Sequence, residues 1–289
     1  MGYIRDRYDL YNSIEICEHM DCRHNEEGGR CEKRKRTPEE IKRANQRRKE
    51  DRARRIIWAN FEPGDYVRTL TFKKENRPKD MKEAQKIKGR FLRQLKREYG
   101  KRYYELLWVA NVECTPRGAW HIHLICNRIE GGGDIIKDLW RQYGGVFDQE
   151  LQDMAGRDIG AYMAKSPDST EGSGHKVVES GYSHSRNLTV PEAKRTEITG
   201  WSMKDKPRVP KGFYLDKSSM FEGTNLAGYR YRRFILRRIS PKPRNRKIEV
   251  KDGSAHLRRA GRKAADRKRK MCRLHDPGGG KSAEGVWRG

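Results

Sequence analysis

The chain has 289 residues, of which 66 are Lys or Arg and 40 are Asp or Glu, for a formal net charge of +26. With 37% charged and 34% hydrophobic residues, it can bury one medium domain and must leave long basic stretches in water. Apolar runs of only a few residues exclude a membrane-spanning helix, and secreted disulfide scaffolds and collagen-like chains are excluded with it; the cationic surplus points to a polyanion partner, most simply nucleic acid.

Residues 1–36 are polar. Met1 to Asp6 hold no apolar run, so no secretory signal and a reducing, cytoplasmic compartment are expected. Cys17, His19, Cys22, His24 and Cys31 lie within 15 residues. Four of them would make a tetrahedral Zn²⁺ site, although the spacing matches no common finger, and idle thiols in a polar segment are the alternative.

A basic helix is expected over 37–60. Thr37 is its N-cap, Pro38 its first residue and Glu40 the partner in a capping box. Its apolar residues are sparse until Ile56-Ile57-Trp58, so most of it is a solvated or nucleic-acid-facing arm. Glu62 to Asp65 form a turn. A strand follows over Tyr66–Phe72, then a helix from Asp80 to Tyr99 with Ala84, Ile87, Phe91, Leu95 and Tyr99 on one stripe. Strands over Tyr104–Glu113 and Trp120–Asn127 form a hairpin. A helix at 134–143, a short strand at Val146–Asp148 and a helix at 157–165 complete a β-α-β-β-α-β-α order. This is an α+β pattern: an antiparallel sheet with flanking helices, placed on one face as in ferredoxin-like folds.

The stretch 168–215 looks mostly like loop. Between 230 and 273 there are 19 Lys or Arg against 3 Asp or Glu, and 216–289 is expected to be a basic, largely disordered DNA-binding tail. Four regions result: 1–36 with its Cys and His residues, the helix 37–60, a domain over 61–215, and the tail 216–289.

The chemistry concentrates on the hairpin. His121 and His123 sit two apart on a strand, so both rings project from one face. If the turn centres on residue 117, Glu113 pairs with His121 and shares that face. Two imidazoles and a carboxylate with open positions suit a catalytic divalent metal, whereas a pair of ordinary surface or core histidines is the plain alternative. Tyr162 and Lys165 stand three apart on one helix face. They suit a phenolic nucleophile with an ammonium helper, or an amphipathic helix with a half-buried Tyr and a solvated Lys. Basic residues interleaved with aromatics (Tyr99, Arg102, Tyr103, Tyr104; Tyr229, Tyr231, Arg232, Phe234) suit single-strand binding or ordinary core packing.

Thr69 to Phe72, His121-Ile122-His123 and Tyr162-x-x-Lys165, in that order, resemble the HUH endonucleases that initiate rolling-circle replication. The likeness is greatest to the replication-associated proteins of bacterial plasmids, integrative elements and phages. Asn60-Phe61-x-x-Gly64-Asp65 and Ser185-Arg186-Asn187-Leu188 are similar to that group too, so the resemblance spans roughly 37–215. It implies the HUH nuclease fold, with Tyr162 as nucleophile, Lys165 as its companion, and Glu113, His121 and His123 holding Mg²⁺ or Mn²⁺. Ser166 stands where a second tyrosine would, so a single-tyrosine enzyme is implied. The implied reaction is nicking and joining of single-stranded origin DNA through a 5′-phosphotyrosine, in a bacterial host cytoplasm. Arg186, Arg232, Arg233, Arg237 and Arg238 are the expected DNA contacts. No G-x-x-x-x-G-K-[ST] occurs, so a host helicase and polymerase are the expected partners, and no membrane is involved. The alternatives are a non-catalytic nucleic-acid-binding protein, or a relaxase or single-strand transposase using the same chemistry.

Overall fold

The computed structural model describes residues 2–20, 37–115, 118–152, 157–164, 182–198, 206–224 and 228–242. In chain order these form β1 (Tyr3–Asp9), β2 (Ser13–Met20), α1 (Pro38–Asn60), β3 (Tyr66–Thr71), a 3-10 turn at Lys74–Asn76, α2 (Met81–Lys101), β4 (Trp108–Cys114), β5 (Trp120–Cys126), α3 (Gly132–Trp140), β6 (Val146–Glu150), α4 (Arg157–Met163), β7 (Ser183–His184), β8 (Lys194–Ile198), β9 (Phe213–Thr224) and β10 (Arg230–Arg238). The fold is α+β, with two antiparallel five-stranded sheets. The central sheet runs β6-β3-β5-β4-β7 and the second runs β8-β1-β2-β10-β9.

Alternation along β3, β4 and β5 sends side chains into two different layers. Leu70, Ala110, Val112, Ile122 and Leu124 face α2 and α3, where the expected stripe of Ala84, Ile87, Phe91, Leu95 and Tyr99 meets Ile136 and Trp140. On the opposite face, Val67, Val109 and Ile125 pack against Ile56 and Ile57 of α1 and Met163 of α4. Helices therefore cover both faces, not one. The reason lies at one end of the sheet, where β3, β4 and β5 are apolar on both sides. The apolar end of α1 supplies the second cover.

The capping box of α1 forms as expected: Glu40 N–H donates to Thr37 Oγ1 at 3.2 Å, and Thr37 N–H to Glu40 Oε2 at 3.0 Å. From Ala53 onward α1 is largely buried; its first half is mostly exposed and carries Lys42, Arg43, Arg47, Arg48, Lys49 and Arg52.

The second sheet corrects the sequence reading in three places. Residues 3–9 and 13–20 are strands, not only a polar Cys/His segment. Residues 194–198 form β8 where loop was expected. Residues 216–238, assigned to a disordered tail, lie largely in β9 and β10. Charge compensation explains all three. Glu15, fully buried on β2, takes Arg54 Nη2 at 2.8 Å and Arg55 Nε at 3.0 Å from α1. Glu18 takes Arg5 at 2.6 Å and also Arg232 of β10. Arg195 pairs with Asp6 at 2.7 Å, and Arg237 with Asp216 at 2.8 Å. Beside these pairs Ile14, Ile16, Phe234 and Leu236 make a small apolar cluster. Arginines that look solvated in sequence are thus neutralised across strands, which removes the main obstacle to burying them.

Candidate active site

The β3–β5–β4 register arranges the site in rows. Val67, Ile125 and Val109 form an apolar row beneath α1 and α4. The next row on that face is Thr69, His123 and Asn111, and the one beyond it is Thr71, His121 and Glu113. The expected pairing of Glu113 with His121 holds.

Tyr162, in the last turn of α4, descends onto the middle row. Its Oη lies 2.5 Å from His123 Nδ1 and 3.1 Å from Thr69 Oγ1, and its ring meets the imidazole edge-on at 4.7 Å. On the other side of the ring, His123 Nε2 lies 2.8 Å from Glu113 Oε2. Both nitrogens of a buried His123 are therefore engaged, in a chain that runs carboxylate, imidazole, phenol. A carboxylate acceptor selects the tautomer with hydrogen on Nε2, which leaves Nδ1 to accept from the phenol.

Close packing of α4 on α1 sets this geometry. A Cβ on Gly160 would stand 2.5 Å from the backbone oxygen of Glu50, so only glycine lets the two helices approach so closely. Gln46 Nε2 of α1 donates to the Ala164 carbonyl at 2.8 Å and fixes the end of α4.

Burial raises the Tyr162 pKa and Glu113 adds to the rise, while the Thr69 hydrogen bond works against them. The phenol is thus a reluctant anion at rest. Burial lowers the His121 pKa; His123 and Arg77 reinforce this and Glu113 opposes it, so His121 favours the neutral form that has a free lone pair. Arg77 is exposed at the rim. Asn111 is 3% exposed, and its Oδ1 has no hydrogen-bond partner among the described residues.

The donor chemistry fits a divalent cation: two imidazoles and one carboxylate on one face. As the side chains stand, His123 and Glu113 bond to each other, and the two imidazole rings are 6.4 Å apart. Among the described residues, no three His, Cys, Asp or Glu side chains form a ready-made metal group.

The remaining sequence candidates divide. Lys165, Cys22, His24 and Cys31 lie outside the described residues. Cys17 sits on β2 beside Glu15, with Sγ 3.6 Å from Oε1, and burial together with that carboxylate pushes its thiol up to about 12. His19 Nε2 lies 3.2 Å from Asp6 Oδ2. Arg186 is exposed. Arg232 is only 4% exposed and pairs with Glu18, Arg233 takes Asp51 at 2.8 Å, and Arg237 takes Asp216. The Arg238 guanidinium lies 4.9 Å over the Phe213 ring. Arg232, Arg237 and Arg238 make contacts within the second sheet, and Arg233 ties that sheet to α1. Tyr99 and Phe234 are core residues, whereas Tyr103 is exposed.

Thr69, as a direct partner of Tyr162, and Asn111 are additions to the sequence reading. Asn111 faces His123 in the same cross-strand pairing that puts Glu113 opposite His121, so the hairpin arithmetic alone was enough to find it.

Residues 65–168 match the family of replication-associated protein ORF2/G2P. The match supports a replication-associated protein. It begins just before β3 and contains Thr69, Asn111, Glu113, His121, His123 and Tyr162. No curated protein and no solved structure matches the chain.

Proposed function

We propose that the protein nicks and rejoins single-stranded DNA through a 5′-phosphotyrosine on Tyr162, and so initiates rolling-circle replication. The observation that carries this reading is the placement of Tyr162 Oη between His123 Nδ1 and Thr69 Oγ1, with Glu113 behind the imidazole. Those two partners place the phenolic oxygen on the face that also bears His121 and Glu113.

The chain's own groups account for the protons. In the resting arrangement His123 Nε2–H donates to Glu113, and Nδ1 accepts the phenolic hydrogen as Oη bonds to phosphorus and the P–O3′ bond breaks. The departing 3′ oxygen takes a proton from water and is left as a free 3′-OH, ready to prime synthesis. Glu113, His121 and His123 would hold a Mg²⁺ or Mn²⁺ ion, which supplies polarisation of the scissile phosphate. With an ion held there, His123 would keep its hydrogen on Nδ1 and donate it to Oη, and the phenolic proton would pass to water. The exposed basic half of α1, anchored to α4, offers charge to the strand beside Tyr162. Unwinding and extension fall to a host helicase and polymerase.

Mass spectrometry of the protein after incubation with a single-stranded DNA library and Mn²⁺ tests the reading. A nucleotide adduct on Tyr162, absent in Tyr162→Phe and His123→Ala, is the expected result. Tight binding with no adduct and no cleavage across diverse sequences would overturn it.

A further inference from the structure

Phe147 is the most exposed large hydrophobic side chain among the described residues, at 66%. It belongs to none of the apolar clusters there. It lies on β6, an edge strand of the central sheet, directly opposite Thr69. Opposed residues of an antiparallel pair share a face, so Phe147 extends the row of Thr69, His123 and Asn111 by one strand. Its neighbour Thr69 is the residue whose hydroxyl touches Tyr162 Oη.

An aromatic ring exposed on an edge strand, in line with the row beneath Tyr162, offers a flat apolar face to whatever lies along that row. We infer that Phe147 is a stacking platform for a nucleobase next to the phosphate that Tyr162 attacks. The inference rests on the nicking reading only for which phosphate that is. The surrounding chemistry favours a base over an apolar protein segment. The floor beside Phe147 is polar, with Thr69, Thr71, His121 and His123, and Arg77 stands at the rim. An apolar partner would desolvate those groups with nothing in return. A nucleotide brings a π-face for the ring and phosphate oxygens for the polar floor and the cation. Every base has such a face, so the platform gives position without sequence preference; Phe147 is a positioning residue.

The test uses the full chain carrying Tyr162→Phe, which prevents cleavage, and a single-stranded thymidine oligonucleotide with one 2-aminopurine at its centre. Stacking on Phe147 quenches the probe's fluorescence on binding. Phe147→Ala should abolish the quench and weaken binding roughly five- to a hundredfold, whereas Phe147→Trp should keep both. An undiminished quench in Phe147→Ala overturns the inference. So does no quench at all, or a Phe147-dependent self-association of the chain in its place. In the nicking-competent protein, Phe147→Ala should raise KM more than it lowers kcat. A quench that depends on Phe147 but comes with no Tyr162 adduct on any DNA would sink the nicking reading and leave the platform standing.

Discussion

Lys88 Nζ lies 2.7 Å from Ser183 Oγ, and the rest of its charge is desolvated between α2 and the central sheet. Burial lowers its pKa from 10.5 to about 8. The unfolded chain therefore binds more protons than the folded one between pH about 8 and 10.5. The cost of burying the ammonium is fully present below that window, and stability rises as pH climbs through it. Lys88→Met should stabilise the protein at pH 7 and lose that advantage by pH 10; urea denaturation at the two values measures it. A variant no more stable at pH 7 would mean that the Ser183 hydrogen bond offsets the desolvation. At this scale the grouping of side chains was largely legible. Strand periodicity and hairpin register put His121, His123 and Glu113 on one face, and Tyr162 stands out through its spacing to Lys165 and the family resemblance. Thr69 and Lys88 do not, since neither residue type announces a buried partner contributed by a distant element.

Two contacts between elements hold the site in place, and each carries a prediction. Gly160 seats α4 on α1. Gly160→Ala should push α4 outward and move Tyr162 Oη off His123, lowering nicking by at least about a hundredfold while the fold survives; a misplacement of about an ångström has that effect on reacting groups. Retained circular dichroism with unchanged nicking would show that α1 gives way instead. Glu15 ties β2 to Arg54 and Arg55. Burial raises its pKa but the two arginines outweigh this, and the carboxyl sits at about 2 against an ordinary 4.5. The stability it contributes is present above pH about 4.5 and drains away as pH falls toward 2. Glu15→Gln should cost about 3–5 kcal/mol at pH 7, because two guanidinium groups lose their counter-charge, and should flatten the acid limb of the stability profile. Element order from β3 to α4 was readable from caps, turns and periodicity. β9 and β10 were not: Arg232, Arg233, Arg237 and Arg238 hide the alternation, and the carboxylate partners of the first three lie on other strands or on α1. The second helix layer was missed for a related reason, as the apolar end of α1 follows a long basic stretch.

Across the whole molecule, the net charge of +26 is unevenly available. Arginines of the second sheet are largely matched by Glu18, Asp6, Asp216 and Asp51, while the first half of α1 presents its cations to water. Salt dependence should separate the two groups. Changing Arg43, Arg47 and Arg48 together to Gln should reduce the slope of log affinity for single-stranded DNA against log salt by about 2. Arg232→Gln should leave the slope unchanged and lower the melting temperature. A slope that responds to Arg232 and not to α1 would relocate the DNA path to the second sheet.

The pairing of β2 with β10 joins residues 13–18 to residues 232–237. On the ribosome these two strands are made far apart in time. The central sheet, from β3 to β7, is complete once residue 184 has emerged, whereas β2 has one open edge until β10 follows it. Domains fold as units during synthesis, and distant strand pairing is the slow step in such topologies. Glu15 already has Arg54 and Arg55 by then, but Glu18 has Arg5 and not yet Arg232, so the waiting strand keeps part of a charge that discourages the wrong neighbour. The carboxylate that neutralises Arg232 in the finished protein thus also guards the open strand before Arg232 arrives.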